Sequence, residues 1–205
     1  MTIGVVTLVI GVAVALIFGS RPSRQPVGFV GDSITLLSAG QLREQLGDDY
    51  ALKIDATSGR RIDEQMGAAA AAVARKNKQI LINLGTNDVM QGATDLDRSV
   101  EQLRAMVAMF PDVQCIHLVT INDQLRNEDV DPRLVEGRAA TINDAIFELA
   151  DQDPRITVID WNRQVHDYMA AHDGATPTDD EIHPNQIGKQ ILADDYEAAL
   201  RDCAA

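Results

Sequence analysis

The feature that most constrains the fold is the regular alternation of two apolar patterns along the chain. Five short runs rich in β-branched residues have the length and composition of buried strands. Longer stretches separate them, and these have the spacing of amphipathic helices. The predicted strands are Val27–Val30, Ala51–Ala56, Gln79–Leu84, Val113–Thr120 and Arg155–Asp160.

In the clearest helical stretch, apolar residues recur every three or four positions, which places them on one helix face. That face consists of Leu96, Val100, Leu103, Val107 and Phe110, with Thr94 as the predicted N-cap. Further helices are predicted at Ser33–Leu46, Ile62–Arg75, Leu134–Ala150 and Pro184–Leu200. Strands that alternate with helices pair in parallel through right-handed crossovers. The sequence therefore predicts an α/β fold, a three-layer α/β/α sandwich around a five-stranded parallel sheet.

The amino terminus differs from the rest of the chain. Residues 3 to 19 contain no charged residue, and as a helix they would span about 25 Å, at the short end for a bilayer core of about 30 Å. We predict a hydrophobic helix that anchors the protein in a membrane, with residues 1–25 as anchor and short linker and residues 26–205 as the folded domain. A cleaved signal peptide is the alternative, although no basic n-region and no clear A-x-A site are present. A buried domain helix is the third interpretation.

Net charge and cysteine content exclude some functions. A formal charge of -13 argues against nucleic-acid binding, which depends on clustered Lys and Arg. Two cysteines provide no metal-ligand spacing and no disulfide framework. We expect neither a metal nor a cofactor. Cys115, in an apolar run, is interpreted as a core residue and Cys203 as a residue of the tail. A bridge between them is compatible with an oxidising compartment, but nothing in the sequence argues for it.

Polar residues cluster where the predicted strands end, which is the edge where parallel sheets bind ligands. We expect Ser33 to be exposed at a helix N-terminus, where its N–H faces any developing negative charge. Pro184 is expected to start the last helix and to keep His183 out of it. The four segments are Gly31-Asp32-Ser33, Thr57-Ser58-Gly59, Gly85-Thr86-Asn87-Asp88 and Asp180-Glu181-Ile182-His183-Pro184.

Together these segments contain every group that acyl transfer requires. Ser33 provides a hydroxyl nucleophile, His183 a base, and Asp180 a carboxylate three residues before that base. Gly59, without a side chain, lets a second backbone N–H approach the reacting oxygen. Asn87 offers an uncharged amide donor. The predicted oxyanion hole is therefore formed by Ser33, Gly59 and Asn87.

In order and spacing, these segments resemble the blocks of the SGNH hydrolases, also called the GDSL esterase/lipase family. The matching motifs are Gly31-Asp32-Ser33-Ile34, Gly59, Gly85-Thr86-Asn87-Asp88 and Asp180-x-x-His183-Pro184, within residues 26 to 201. The resemblance implies a flavodoxin-like fold and metal-independent hydrolysis or transfer of an ester-linked acyl group. It implies the same roles for Ser33, His183 and Asp180 as the chemistry above.

The leading hypothesis is a membrane-tethered serine esterase that acts on a small-molecule, lipid or cell-envelope ester. An O-acyltransferase to a sugar or another alcohol would need the same residues, and a non-catalytic binding domain is the alternative from another class. Arg21 and Arg24 follow the hydrophobic segment, which favours a cytoplasmic domain by the positive-inside rule. The family resemblance favours an extracytoplasmic one, and cleavage would give a secreted protein. Oligomeric state is left undetermined.

Overall fold

A computed structural model describes residues 23–91, 96–126 and 130–204. The hydrophobic segment at residues 3–19 and the predicted cap Thr94 lie outside these ranges, so the predicted anchor stays a prediction. Within the described ranges, none of the helices combines the length and the apolar character needed to cross a membrane.

Five parallel strands form one sheet with the order β2-β1-β3-β4-β5. Each predicted strand is confirmed, with boundaries that move by one or two residues. The register is continuous across the centre of the sheet, where Val27 of β1 lies between Leu52 of β2 and Gln79 of β3. The strands are β1 (Gln25–Gly31), β2 (Tyr50–Ala56), β3 (Gln79–Asn83), β4 (Cys115–Val119) and β5 (Ile156–Ile159).

The helices follow the predicted pattern with two additions. The stretch predicted as one helix from Ile62 is divided into a 3₁₀ turn, Ile62–Gln65, and an α-helix. The short helix after β3 and the helix after β5 were not predicted. The α-helices are α1 (Ser33–Leu46), α2 (Met66–Ala74), α3 (Thr86–Met90), α4 (Leu96–Ala108), α5 (Pro132–Gln152), α6 (Trp161–Ala171) and α7 (Gln186–Ala204).

Helices cover both faces of the sheet, which confirms the three-layer architecture. Because successive side chains of a strand point to opposite faces, β3 contributes Leu81 to one core and its neighbours Ile80 and Ile82 to the other. The core around Leu81 is closed by α1, α6 and α7, with Tyr196 of α7 fully buried. The core around Ile80 is closed by α2, α4 and α5.

The start of α7 differs from the prediction. Pro184 is not the first helical residue, since the helix begins at Gln186. The Asn185 side chain caps it instead, by accepting hydrogen bonds from the N–H groups of Ile187 (2.9 Å) and Gly188 (3.1 Å). An amide that accepts from the first-turn N–H groups is a favourable N-cap, whereas Pro184 forms an isolated bridge with Thr178.

The two cysteines form a disulfide, which corrects their interpretation as separate core and tail residues. Cys115 begins β4 and Cys203 lies in the last turn of α7, 88 residues later, with Cα atoms 6.1 Å apart. Two hydrogen bonds reinforce the connection: the Gln114 side chain donates to the Cys203 carbonyl (3.0 Å), and the Gln79 side chain donates to the Leu200 carbonyl (3.1 Å). The end of α7 is therefore fastened to the amino-terminal edge of the sheet.

We expect Cys203→Ser to lower stability strongly, because a bridge that closes a loop of this length restricts the unfolded chain. The chain-entropy model gives about 4 to 5 kcal/mol, or a fall in Tm of roughly 10 °C or more for a domain of this size. Thermal unfolding followed by circular dichroism measures the change. Addition of a reductant should lower the Tm of the wild type and leave that of Cys203→Ser unchanged. Two titratable thiols in the oxidised native protein would contradict this expectation.

Candidate active site

The turn between β1 and α1 places Ser33 at the carboxyl edge of the sheet. Asp32 is the N-cap of α1, and its carboxylate accepts a hydrogen bond from the Ile34 N–H at 2.9 Å. A side chain at Gly31 would collide with Thr35, whose Cβ would lie 2.5 Å from the added Cβ, so the tight turn needs glycine there. Ser33 is only 5% exposed, so the prediction of an exposed serine is wrong. His183, on the loop before α7, lies against it, with Nε2 2.9 Å from Ser33 Oγ.

That covering loop carries Asp180 and His183. The Asp180 carboxylate accepts hydrogen bonds from the N–H groups of Ile182 (3.1 Å) and His183 (2.7 Å), which folds the loop around it. Glu181 has a positive φ of 62°, as the tight turn requires. The neighbouring Asp179 is used differently, since its N–H donates to the His183 carbonyl at 2.9 Å.

Ser33, His183 and Asp180 form a continuous hydrogen-bond chain. The His183 ring lies with Nδ1 2.7 Å from Asp180 Oδ2 and Nε2 2.9 Å from Ser33 Oγ. Because an ionised carboxylate can only accept, Nδ1 carries the proton, and Nε2 is left to accept from the serine hydroxyl. The structure thus brings together the three predicted residues in the order that nucleophilic catalysis uses.

The pKa of Asp180 is lowered from its ordinary value. Partial burial by itself would raise the pKa, but the hydrogen bonds from His183 and from the Ile182 N–H outweigh that effect. The carboxylate therefore stays ionised at neutral pH, which maintains the orientation of the His183 ring.

Gly59 and Asn87 lie on the loops after β2 and β3. Gly59 has a φ of 77°, a conformation that favours glycine, and an added Cβ would approach only Gln91, at 4.0 Å. Among the described residues, no atom accepts a hydrogen bond from the N–H of Gly59 or of Ser33. Both N–H groups are candidates for the proposed oxyanion hole.

The Asn87 side chain has hydrogen-bond partners within the protein on both its oxygen and its nitrogen. Its Nδ2 donates to the Arg60 carbonyl at 3.0 Å and makes a long contact of 3.5 Å with Asp32 Oδ2. Its Oδ1 accepts from Gln91 Nε2 at 3.0 Å, which fixes the amide orientation. A substrate oxygen would compete with the long Asp32 contact, since that is the weaker of the two donations. Nothing in the sequence pattern identified Gln91 as a partner of Asn87.

Asp88 supports the same loops through its hydrogen bonds. Fully buried, it accepts from the Ile62 N–H at 3.0 Å and from Ser99 Oγ at 2.6 Å. The pKa of Asp88 is raised, because the effect of burial outweighs the lowering effects of these hydrogen bonds and of the nearby Arg61. Asp88 thereby fastens the segment after Gly59 to the helix that carries Asn87.

Asp32 is a buried titratable group, and its burial was not predicted from the sequence. Its side chain is fully buried, and desolvation raises the pKa of Asp32 to about 7, against the lowering effects of the Ile34 N–H and of His183. The signal in the sequence is the position of Asp32, directly before Ser33 in the Gly31-Asp32-Ser33 turn.

We expect Asp32→Asn to change how stability depends on pH. The native state binds the Asp32 proton more tightly than the unfolded chain, so the contribution of Asp32 to the free energy of unfolding falls as pH rises from about 4 to about 7. The asparagine keeps an acceptor for the Ile34 N–H and does not titrate. The Tm of Asp32→Asn relative to the wild type should therefore be higher at pH 8 than at pH 4. Thermal melts across this range, with the exposed-site variant Asp48→Asn as control, test this; a pH-independent difference would contradict it.

Comparison with known proteins assigns the chain to a family through the region that contains the candidate active site. The model of the GDSL-like Lipase/Acylhydrolase family matches residues 29–191. No curated protein matches the chain. The matched region spans β1 to α7 and includes all four sequence blocks. The chain belongs to the GDSL-like lipase/acylhydrolase family, which makes it an ester-hydrolysing enzyme by class and confirms the resemblance to SGNH hydrolases.

Solved structures share the fold at low sequence identity. An acetyl xylan esterase has a TM-score of 0.71 and 20% identity, covering 85% of this chain and 99% of its own. The C-terminal catalytic domain of peptidoglycan O-acetyltransferase A from Streptococcus pneumoniae has a TM-score of 0.66 and 21% identity, covering 88% and 95%. A putative acylhydrolase from Bacteroides fragilis has a TM-score of 0.72 and 17% identity, covering 89% and 90%.

Proposed function

We propose that this chain is a serine esterase that removes a short acyl group, by way of an acyl-enzyme on Ser33. The observation that carries the proposal is the hydrogen-bond chain from Ser33 through His183 to Asp180. In this family, such a chain at the carboxyl edge of the sheet has the geometry of an activated nucleophile.

In the first half of the reaction, Ser33 Oγ attacks the ester carbonyl while His183 Nε2 accepts the hydroxyl proton. Asp180 stabilises the positive charge on the ring and holds its orientation. The tetrahedral intermediate then collapses as His183 returns the proton to the leaving alcohol. In the second half, water attacks the acyl-enzyme by the same route, and the acid and free Ser33 are released.

The oxyanion of each intermediate is stabilised by three donors in this proposal. The N–H groups of Ser33 and Gly59 are the backbone donors, and the Asn87 amide is the third. Backbone donors fixed in place act without reorganisation, whereas the Asn87 amide exchanges its long contact with Asp32 for the oxyanion. The Ser33 N–H adds the favourable field of the α1 N-terminus.

The substrate class is proposed from the similar proteins. Two of them are named for acetyl esters or acetyl transfer on carbohydrate polymers, xylan and peptidoglycan. We therefore propose an O-acetylated carbohydrate as substrate, in preference to a lipid ester.

Transfer of the acyl group to another alcohol is the second candidate, favoured by the likeness to an O-acetyltransferase catalytic domain. Hydrolysis and transfer share the acyl-enzyme and differ in which acceptor attacks it. If transfer is the main reaction, a millimolar sugar alcohol acceptor should shift the product from acetate to the acetylated sugar, as measured by mass spectrometry. A product that stays acetate at every acceptor concentration would support the esterase and contradict the transferase.

The location is proposed to be extracytoplasmic, with the uncharged segment at residues 3–19 as the membrane anchor. The Cys115–Cys203 disulfide supports this side, because disulfides persist in oxidising compartments and are rare in the cytosol. It outweighs the cytoplasmic preference given by Arg21 and Arg24, which are only two charges.

Kinetics of site variants test the proposed mechanism. Ser33→Ala should abolish hydrolysis of p-nitrophenyl acetate, since no other group accepts the acyl chain. Asn87→Ala should lower kcat by about 10²- to 10³-fold, with a smaller effect on KM, because an oxyanion donor acts mainly in the transition state. Steady-state rates measure both, with circular dichroism as the check on folding. A loss below tenfold in a folded Asn87→Ala would remove that residue from the oxyanion hole.

A further inference from the structure

A concave surface lies at the carboxyl end of β5, away from Ser33. This β5 cleft has a volume of about 430 Å³ and runs between α5 and α6. Asp144 and Phe147 line it from α5, Asn162 and His166 line it from α6, and Asp123 and Asp160 close it from the ends of the strands.

The polar groups of the β5 cleft are held in place before any ligand arrives. Asp123 accepts hydrogen bonds from His166 Nε2 (2.7 Å) and Asn162 Nδ2 (3.3 Å), and its own N–H donates to Asn162 Oδ1 (2.8 Å). Asp160 accepts from Thr120 Oγ1 at 2.9 Å. Partial burial alone would raise the pKa of Asp123, but hydrogen bonds from Gln124, His166 and Asn162 outweigh it and keep the carboxylate ionised.

An aromatic ring is exposed beside these polar groups. Phe147 is 43% exposed, whereas the preceding residue, Ile146, is buried in the core. The cleft therefore combines oriented carboxylate and amide groups with an apolar ring, the mixture by which binding sites fix the orientation of a ligand.

This chemistry excludes several ligand classes. The carboxylates of Asp123, Asp144 and Asp160 repel a phosphate, sulfate or carboxylate ligand. They outnumber Arg163, the cation that also lines the cleft. An acyl chain would desolvate the carboxylates without pairing them. In the part of the chain that the structure describes, no three His, Cys, Asp or Glu side chains are arranged to hold a metal ion. A neutral sugar satisfies the lining, because its hydroxyls donate to the carboxylates and its C–H face packs on an aromatic ring.

The β5 cleft lies on the same edge of the sheet as the candidate active site. In the strand order β1-β3-β4-β5, the ends of β1 and β5 are three strand spacings apart, which is about 14 Å. Trp161, between the cleft residues Asp160 and Asn162, packs against Gly188 near the start of α7, with a ring atom 3.2 Å from where a Cβ of that glycine would lie. The cleft is thus connected by direct packing to the element that follows His183.

We propose that the β5 cleft binds a neutral oligosaccharide and holds the sugar chain whose acetyl group is removed at Ser33. This deepens the proposed function and rests on it. It assigns recognition of the polymer to the surface between α5 and α6, and the chemistry to the edge above β1 and β3.

The first test compares two substrates in one variant. In Phe147→Ala, the ratio of kcat/KM for an acetylated β-1,4-xylo-oligosaccharide to that for p-nitrophenyl acetate should fall about 10-fold, the loss expected for one aromatic contact. The matched control is Leu134→Ala, which removes another exposed apolar side chain of α5 that is not among the residues lining the cleft. Its ratio should equal that of the wild type. An unchanged ratio in Phe147→Ala, or an equal fall in the control, would overturn the proposal.

The second test measures binding apart from turnover. Trp161 is the sole tryptophan of the chain, so intrinsic fluorescence and the indole NMR signal report on this region. Deacetylated β-1,4-xylo-oligosaccharide and β-1,4-linked N-acetylglucosamine oligosaccharide are titrated separately into Ser33→Ala, with and without Phe147→Ala. A response to one of the sugars that is lost with Phe147→Ala supports sugar binding in the β5 cleft. The sugar that gives the response identifies which polymer the cleft recognises. No response to either sugar at millimolar concentration overturns the cleft proposal, whereas an inactive wild type that still binds sugar contradicts only the esterase.

Discussion

The hydrogen bond between His183 and Ser33 joins residues 150 positions apart in the chain. It can form only if the fold holds the two side chains in contact. Ser33 begins α1 and His183 lies just before α7, so the bond depends on how these two helices pack. Side chains along them interlock: Gln41 donates to Gln190 at 2.9 Å, and Gln45 donates to Asp194 at 2.8 Å. Together with the core beneath them, these contacts set the position of the imidazole relative to the hydroxyl.

Local patterns predicted most of the fold and the chemistry of the candidate site. The five strands followed from short β-branched runs, and Asp180 followed from its spacing to His183, because both signals lie within a few residues. The disulfide, the burial of Ser33 and the partners of Asn87 could not be predicted this way. Each depends on segments far apart in the chain; Cys115 and Cys203, for example, meet only because α7 returns along the sheet to the start of β4.

The two edges of the sheet carry different kinds of groups. The amino-terminal edge holds the Cys115–Cys203 bridge, which fastens α7 where chemistry does not occur. The carboxyl edge carries Ser33, Asn87, the loop of His183 and the β5 cleft. Polar groups are concentrated along this edge, and burying some of them costs desolvation free energy. Asp32 shows that cost most clearly, because its carboxylate is fully buried one residue before the proposed nucleophile.

Covalent labelling tests directly whether His183 activates Ser33. The folded domain is incubated with a fluorophosphonate and mapped by intact-mass and peptide mass spectrometry, beside Ser33→Ala and His183→Ala. We expect one adduct, on Ser33, that is absent in both variants. A folded wild-type protein that forms no adduct, or a Ser33 adduct that persists in His183→Ala, would contradict it.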